Sequence, residues 1–370
     1  MDTSETRVKQ LFKLANIKVG GSNPQDIVVH DKRFYTKVLR YRELGLGESY
    51  MDGWWDCKAI DQLITNLLGV NIRSLVKISP SLLLAALPGI FKTQSVTGAK
   101  KNAEHHYNIG NDLYQRMLGE RMIYSCAYWK GAKTLDQAQE NKLDLICRKL
   151  ELKKGMKLLD IGCGWGGFAK YAASKYGVNV TGITPAGEQI KLAKEATKGL
   201  SVKILQKDYR EITGKFDRIT SIGMLEHVGP KNYENFFAIC NQLLTDDGMM
   251  LHHTIASNKA SKYINPWISK YIFPGGVLPS LGQISDAVAD RWIIEDVQNF
   301  GPDYDKTLMA WHKNFTTHYK ELKGNYDERF YRMWKFYLLI CAGGFRSRHL
   351  QLLQLVMRKV RPSNTYIAAR

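Results

Sequence analysis

A short apolar run that ends in a cluster of glycines constrains this 370-residue chain more than any other feature. MKLLDIG leads straight into CGWGG, so Asp160, Gly162, Gly164, Gly166 and Gly167 end a strand and open a helix, GGFAKYAASKYG. A turn so placed suits a nucleotide, because glycine adopts positive φ and lets backbone approach a ligand closely. The spacing is G-x-G-x-G, not the dinucleotide G-x-G-x-x-G, and an acid stands two residues before the first glycine. No Gly-Lys-Ser/Thr follows, which excludes a P-loop.

The pattern continues on both sides of that turn. NVTGIT, SVKILQKD, FDRITSIG and GMMLHHTI read as further strands. EQIKLAKEATKG and YENFFAICNQLL read as helices between them. Strands alternating with helices of 10–15 residues predict an α/β fold with a parallel, doubly wound sheet. The basic C-terminal run FRSRHLQLLQLVMRKVRPSNTYIAAR is expected to supply the last strands. Residues 1–98 read instead as a small, mainly helical domain, with a helix over AIDQLITNLLG and a glycine-punctuated loop at GLGESYMDGWWD. The division expected is therefore 1–98 and 99–370.

Charge narrows the partners. Fifty-three Lys and Arg against 35 Asp and Glu give +18, which calls for nucleic acid or an anionic membrane surface. No acid occurs from Gln62 to Ala103, whereas Arg73, Lys77 and Lys92 do. That stretch is either a core helix with a basic edge or an interfacial element. Its uncharged window has 14 residues and two prolines, too short for the ~20 that span a bilayer. The N-terminus lacks an apolar signal core, and the six cysteines form no C-x-x-C pair, so reduced thiols in a cytosol are expected. No metal site is expected. His105 and His106 are adjacent, and adjacent histidines on a helix or strand do not face one site.

The form Asp-x-Gly-x-Gly-x-Gly resembles the first motif of Rossmann-like class I S-adenosylmethionine (SAM) methyltransferases. Ligands of such sheets bind at the carboxyl ends of the strands. Thr184, Glu188 and Gln189 lie at the end of the second strand, and Asp208 and Tyr209 at the end of the third. Asp208 and Tyr209 are placed to meet an adenine, and Gln189, with Glu188 nearby, the ribose.

HYNIGNDLY, MIYSCAYW, LLDIGCGWGGFA, SIGMLEHVG, LHHTI and CAGGFRSR occur in this order over nearly the whole chain. Together they resemble the cyclopropane-fatty-acyl-phospholipid synthases, whose catalytic part the mycolic acid cyclopropane synthases share. The resemblance implies methyl transfer from SAM to a cis double bond of a phospholipid acyl chain, then loss of a proton as a ring closes. It implies a bound bicarbonate as base, held at positions matching Cys126, Glu226, His253, Tyr304 and the backbone amide of Ile255. Tyr124 and Ser125 are implied beside the cofactor. Cys341 matches a cysteine assigned to the family's active site and is expected to line the acyl slot or support the site. His227 and His252 are expected to be structural. The segment YINPWISKYIFPGGVLPSLGQ is expected to form a lid, with Trp267, Tyr271 and Phe273 over the acyl chain.

The resemblance further implies a homodimer in the cytoplasm, peripheral on an anionic inner membrane, acting on unsaturated phospholipid and not on nucleic acid. Two other readings stay open. A nucleic-acid methyltransferase would share the charge and the cofactor fold but lacks an N/D-P-P-Y tetrapeptide here. A catalytically silent membrane-binding protein would not need the set Cys126, Glu226, His253 and Tyr304. Related chemistry gives a ring, a methyl branch or a hydroxylated chain from one carbocation.

Overall fold

The computed structural model describes residues 3–70, 110–261 and 263–370. Arg73, Lys77, Lys92, His105 and His106 lie outside the described residues. The chain divides into two compact units. One takes in the described residues before 93, Asn265–Pro274 and Leu308–Leu350; the other holds the remainder, including Gly275–Thr307 and Gln351–Arg370.

The second unit is built on a seven-stranded sheet. In chain order its strands are β1 (Lys157–Ile161), β2 (Asn179–Ile183), β3 (Val202–Leu205), β4 (Phe216–Ile222), β5 (Leu244–Ser257), β6 (Trp292–Asn299) and β7 (Leu350–Lys359). They lie side by side as β3-β2-β1-β4-β5-β7-β6. Pairing is parallel from β3 through β5, but β6 and β7 pair antiparallel, so the sheet is mixed and not parallel throughout. No crossover helix is needed between antiparallel neighbours. The Gly301–Leu322 and Glu328–Arg346 helices intervene between these two strands in sequence.

Side-chain alternation along each strand sorts the two faces. Leu159, Ile161, Ile219, Met250 and Leu355 join Phe236 and Phe237 in one core. Leu158, Val180, Met249, Leu251 and Val356 join the other core, under Leu143, Ile146 and Cys147 of the Leu135–Lys149 helix and Phe168 and Ala172 of the Gly167–Tyr176 helix. Polar residues share this second face. By the same alternation Asp160, Thr220, His253 and Gln354 stand on it, and all four are buried. His252 points the other way, its ring edge against Phe236 and Phe237. Among the described residues no helix is long and apolar enough to cross a membrane.

The first unit is largely helical: Thr3–Leu14, Arg33–Met51 and Ile60–Gly69 are joined by Pro266–Tyr271 and Glu328–Arg346. Its core is aromatic. Trp55 meets Phe34, Tyr50 and Phe336, and Trp267 meets Phe336 edge-on. The glycines of GLGESYM do not mark the expected loop, because Gly45 and Gly47 lie in the second part of the Arg33–Met51 helix, beyond a kink at Arg42. Their reason is close approach: a Cβ on Gly45 would lie 2.3 Å from the Lys37 carbonyl oxygen, and one on Gly47 2.3 Å from Trp267 Cδ1. The expected lid is corrected by the same contact. Trp267 is fully buried, and Tyr271 donates to Glu48 Oε1, so Asn265–Pro274 packs within the first unit, while Tyr263 is exposed and the part from Gly275 belongs to the second unit.

Gly47→Ala is expected to destabilise the protein by ~1–3 kcal/mol, the range for overpacking a core. Gly69→Ala, where an added Cβ meets nothing within 4 Å, serves as the control. Thermal unfolding of both variants checks this; equal melting temperatures would contradict the packing role of Gly47.

Candidate active site

The glycine turn has the geometry its sequence demands. Gly162, Gly164 and Gly166 take φ of 84°, 53° and 80°, values costly for residues with a Cβ. At Gly164 an added Cβ would meet nothing within 4 Å, which leaves an open cradle in the turn. At Gly167 it would lie 2.7 Å from the Arg121 carbonyl, so the chain leading to Tyr124 packs directly on the turn. Aromatic edges continue that packing: Tyr124 meets Tyr114, and Tyr114 meets Trp165 of the turn. Cys163 is buried beneath them in a small core with Ile190 and Ala193, a spacer as its position suggests.

Polar groups at the strand ends are partly engaged and partly unpaired. Thr220 Oγ1 donates to Asp160 Oδ1 at 3.1 Å, whereas Asp160 Oδ2 is buried without a hydrogen bond. Burial pushes this carboxyl up to about 7. Thr184 Oγ1 donates to Gln189 Oε1 at 3.1 Å, and Gln189 Nε2 has no partner. Glu188 falls in the Gly187–Ala196 helix. Asp208 instead receives Arg210, whose Nη2 donates to Oδ2 at 2.8 Å, and caps the short turn Tyr209–Glu211. Tyr209 is buried with its ring edge on Phe236. A buried polar atom without a partner is costly unless a ligand supplies one. The free atoms of Asp160 and Gln189, with the cradle at Gly164, fit a cofactor carrying both donors and acceptors, as SAM does.

A second polar cluster surrounds the end of β5. Glu226 sits in the Leu225–Val228 helix after β4. Its Oε1 accepts from the Ile255 amide at 2.7 Å, so that amide is already engaged. Oε2 has no partner, and burial pushes the carboxyl up to about 7. His253 is buried; its Nδ1 meets Gln354 Nε2 at 3.2 Å and its Nε2 is unpaired. Desolvation and nearby lysines hold its pKa well below the usual value, so the ring is neutral near pH 7. Phe300 stands edge-on to both His253 and Tyr128.

Cys126 is tied to this region through its neighbours. Trp129 N donates to Asp303 Oδ2 at 2.8 Å, and Ala127 N to Thr307 Oγ1 at 3.1 Å. Asp303 and Thr307 flank Tyr304, which is buried. The Cys126 thiol donates to the Ala127 carbonyl, and desolvation raises its pKa well above the usual value, which keeps it a thiol. Cys126, Glu226, His253, Ile255 and Tyr304 thus all belong to the second unit, and two buried atoms among them await a partner. An anion that can also donate a hydrogen bond, as bicarbonate can, fits the pair: Glu226 Oε2 accepts, and His253 Nε2 can donate. Cys341 belongs to the first unit, on the Glu328–Arg346 helix, and desolvation pushes its thiol up to about 12. A nucleophilic thiol needs the opposite.

Sequence reasoning passed over Gln139 and Lys142. Gln139 Nε2 donates to the Ser125 carbonyl at 2.9 Å and Lys142 Nζ to Ser125 Oγ at 3.0 Å. In a helix spelled LDQAQENKLDLICRK such residues read as a solvated face, and only the fold buries them.

Residues 94–355 match the family model described as mycolic acid cyclopropane synthetase. The chain is 48% identical over 351 residues to the cyclopropane-fatty-acyl-phospholipid synthase of Escherichia coli K12, covering 95% of this chain and 92% of that protein. It is 32% identical to the tuberculostearic acid methyltransferase UfaA1 of Mycobacterium tuberculosis, over 88% of this chain and 81% of the relative. Its fold matches the crystal structure of the mycolic acid cyclopropane synthase CmaA1 complexed with SAH and CTAB, with a TM-score of 0.66 and 33% identity. That match covers 70% of this chain and 98% of the other.

Gly164→Asp is expected to fold, since an added Cβ meets nothing within 4 Å and Asp tolerates the left-handed region better than most residues. It should lose SAM affinity by ~tenfold or more, because side chain and charge enter the close-approach turn. Calorimetric titration with SAM checks this; unchanged affinity would remove the turn from the cofactor site.

Proposed function

The chain belongs to the mycolic acid cyclopropane synthetase family, and from that premise we propose that its site makes cyclopropane rings in the acyl chains of membrane phospholipids. SAM supplies a methyl group to a cis double bond, and the resulting carbocation on the acyl chain closes to a ring on losing a proton from that methyl. The observation that carries the reading is the pair of unpaired buried atoms, Glu226 Oε2 and His253 Nε2.

The chain's own residues have three tasks in this scheme. Asp160, Thr184 and Gln189 orient the cofactor at the strand ends, with Tyr124 and Ser125 beside the glycine turn and Glu188, Asp208 and Tyr209 toward its nucleoside. Glu226, neutral His253, Cys126 and Tyr304, with the Ile255 amide fixing Glu226, would hold a bicarbonate, which would supply the base. With its carboxyl near 7, Glu226 accepts the anion's hydrogen above that pH and repels nothing below it. Phe300, buried edge-on to His253, and the half-buried Tyr128 packed on it keep water from the carbocation and tolerate its charge. Cys341 supports the acyl slot and forms no covalent bond in this scheme.

Net charge +18 suits an anionic surface, where each cation near the headgroups contributes ~1 kcal/mol. We assign that contact to residues 1–98 and catalysis to 99–370, in a homodimer peripheral on the cytoplasmic face of the inner membrane. Labelled SAM offered with unsaturated phospholipid vesicles, and separately with DNA or RNA, tests the substrate class. Label in nucleic acid would overturn the reading, and a methyl-branched lipid in place of a ring would move the chain to the methyl-branching reaction.

Glu226→Gln and His253→Ala are each expected to lower turnover by ~10²-fold or more, the scale of a lost general base, with little change in SAM affinity. Native turnover should fall as pH drops through about 7, where the Glu226 carboxyl protonates, and Glu226→Gln should show a shallower acid limb, kept in part because Asp160 is also pushed up to about 7. Steady-state rates from pH 5.5 to 9 and SAM titrations check both. Equal loss of SAM binding in the two variants would place these residues in the cofactor pocket.

A further inference from the structure

Two lysines of the Leu135–Lys149 helix are almost wholly buried, Lys142 at 1% exposure and Lys149 at 0%. They are balanced differently. Lys149 Nζ pairs with Asp296 Oδ2 at 3.0 Å, an ordinary buried ion pair. Lys142 makes no ion pair among the described residues; its Nζ donates to the neutral Ser125 hydroxyl.

The surroundings make that imbalance informative. The helix covers the sheet face on which Asp160 and His253 stand, and Ser125 precedes Cys126. The Lys142 charge acts on Asp160, Cys126 and His253. Asp160 is the acid whose charge acts on Lys142, yet it bonds to Thr220 and forms no ion pair with the lysine. Cys126 is a thiol and His253 is neutral. Burial pushes the ammonium down only to about 8, so it stays largely charged at pH 7. A buried cation lacking a contact anion is expensive, and removing one member of a buried pair leaves such a charge at a cost of several kcal/mol. A bound anion between these groups would relieve it.

We propose that Lys142 is a positioning residue that pins Ser125 and provides the counter-charge for a carboxylate-type anion bound between the glycine turn and the base cluster. Two such anions are available to the reaction, the carboxylate of SAM and bicarbonate. The bicarbonate arm rests on the function proposed above; the SAM arm does not. Lys142 acts in either case through charge and through Ser125, without exchanging a proton with the acyl chain.

Lys142→Met removes charge and hydrogen bond, Lys142→Gln keeps a polar tip without charge, and Lys142→Arg keeps the charge. SAM and its decarboxylated analogue are titrated into each by calorimetry, and turnover is measured against bicarbonate concentration. If the anion is the SAM carboxylate, Met and Gln variants weaken SAM by ~tenfold or more while the decarboxylated analogue binds as to the native protein. If it is bicarbonate, the half-saturating bicarbonate concentration rises by a similar factor and SAM affinity holds. In both cases Arg restores most of the loss. Native-like SAM affinity and native-like bicarbonate response in a folded Gln or Met variant would overturn the proposal. A native enzyme insensitive to bicarbonate would instead remove the base-anion reading, and the titrations with SAM and its analogue would then decide the role of Lys142 alone.

Discussion

Everything in the second unit depends on one requirement: a row of polar side chains is buried on a sheet face that otherwise holds hydrocarbon. Asp160, Thr220, His253 and Gln354 stand there among Leu158, Leu251 and Val356. Burying each without a partner costs about 1–3 kcal/mol, so they bond to one another where they can, Thr220 to Asp160 and Gln354 to His253. The Leu135–Lys149 helix must then cover a mixed surface. Its apolar residues Leu143, Ile146 and Cys147 meet the hydrocarbon, and Gln139 and Lys142 meet the polar end. On this face Asp160 Oδ2, His253 Nε2 and Gln354 Oε1 stay unpaired after this internal matching. Stability is conceded at the same places where binding is gained.

The turn after β1 shows how local rules and function coincide. Its glycines are there for positive φ and for a neighbour, Arg121, whose carbonyl leaves no space for a Cβ at Gly167. The first requirement can be read from a few adjacent letters, and for that reason the turn, strands β1 to β5 and their helices were legible in the sequence, whereas the approach of Arg121 was not. Cys126, Glu226, His253 and Tyr304 were singled out only through resemblance, since nothing in their spacing relates four distant segments of the chain.

Other features escaped for physical reasons. Gly45 and Gly47 look like loop residues because glycine breaks helices in isolation. Their role is set by Trp267, more than two hundred residues away, which lies against Gly47. The antiparallel pairing of β6 with β7 was illegible because two helices separate them in the chain. Lys142 was hidden by its own helix: a lysine one position before a leucine reads as surface until the polar row beneath it is known. The Ile255 amide was expected to hold the anion and is engaged by Glu226 instead. That hydrogen bond is also one of the interactions that hold the Glu226 carboxyl in place.

The first unit is assembled from three stretches of chain, and this has a bearing on how the protein comes off the ribosome. Its aromatic core needs Trp55 from the beginning, Trp267 from the middle and Phe336 from near the end. During synthesis the early helices emerge with Phe34, Tyr50 and Trp55 lacking their final partners. These contacts span nearly three hundred residues, and contacts of such separation form slowly because a long loop must close first. The nascent N-terminal part therefore waits, with apolar surface showing, while more than two hundred and fifty further residues are translated. Chaperone attention during that interval, and poor recovery of the isolated N-terminal piece when it is cut free, follow from connectivity alone.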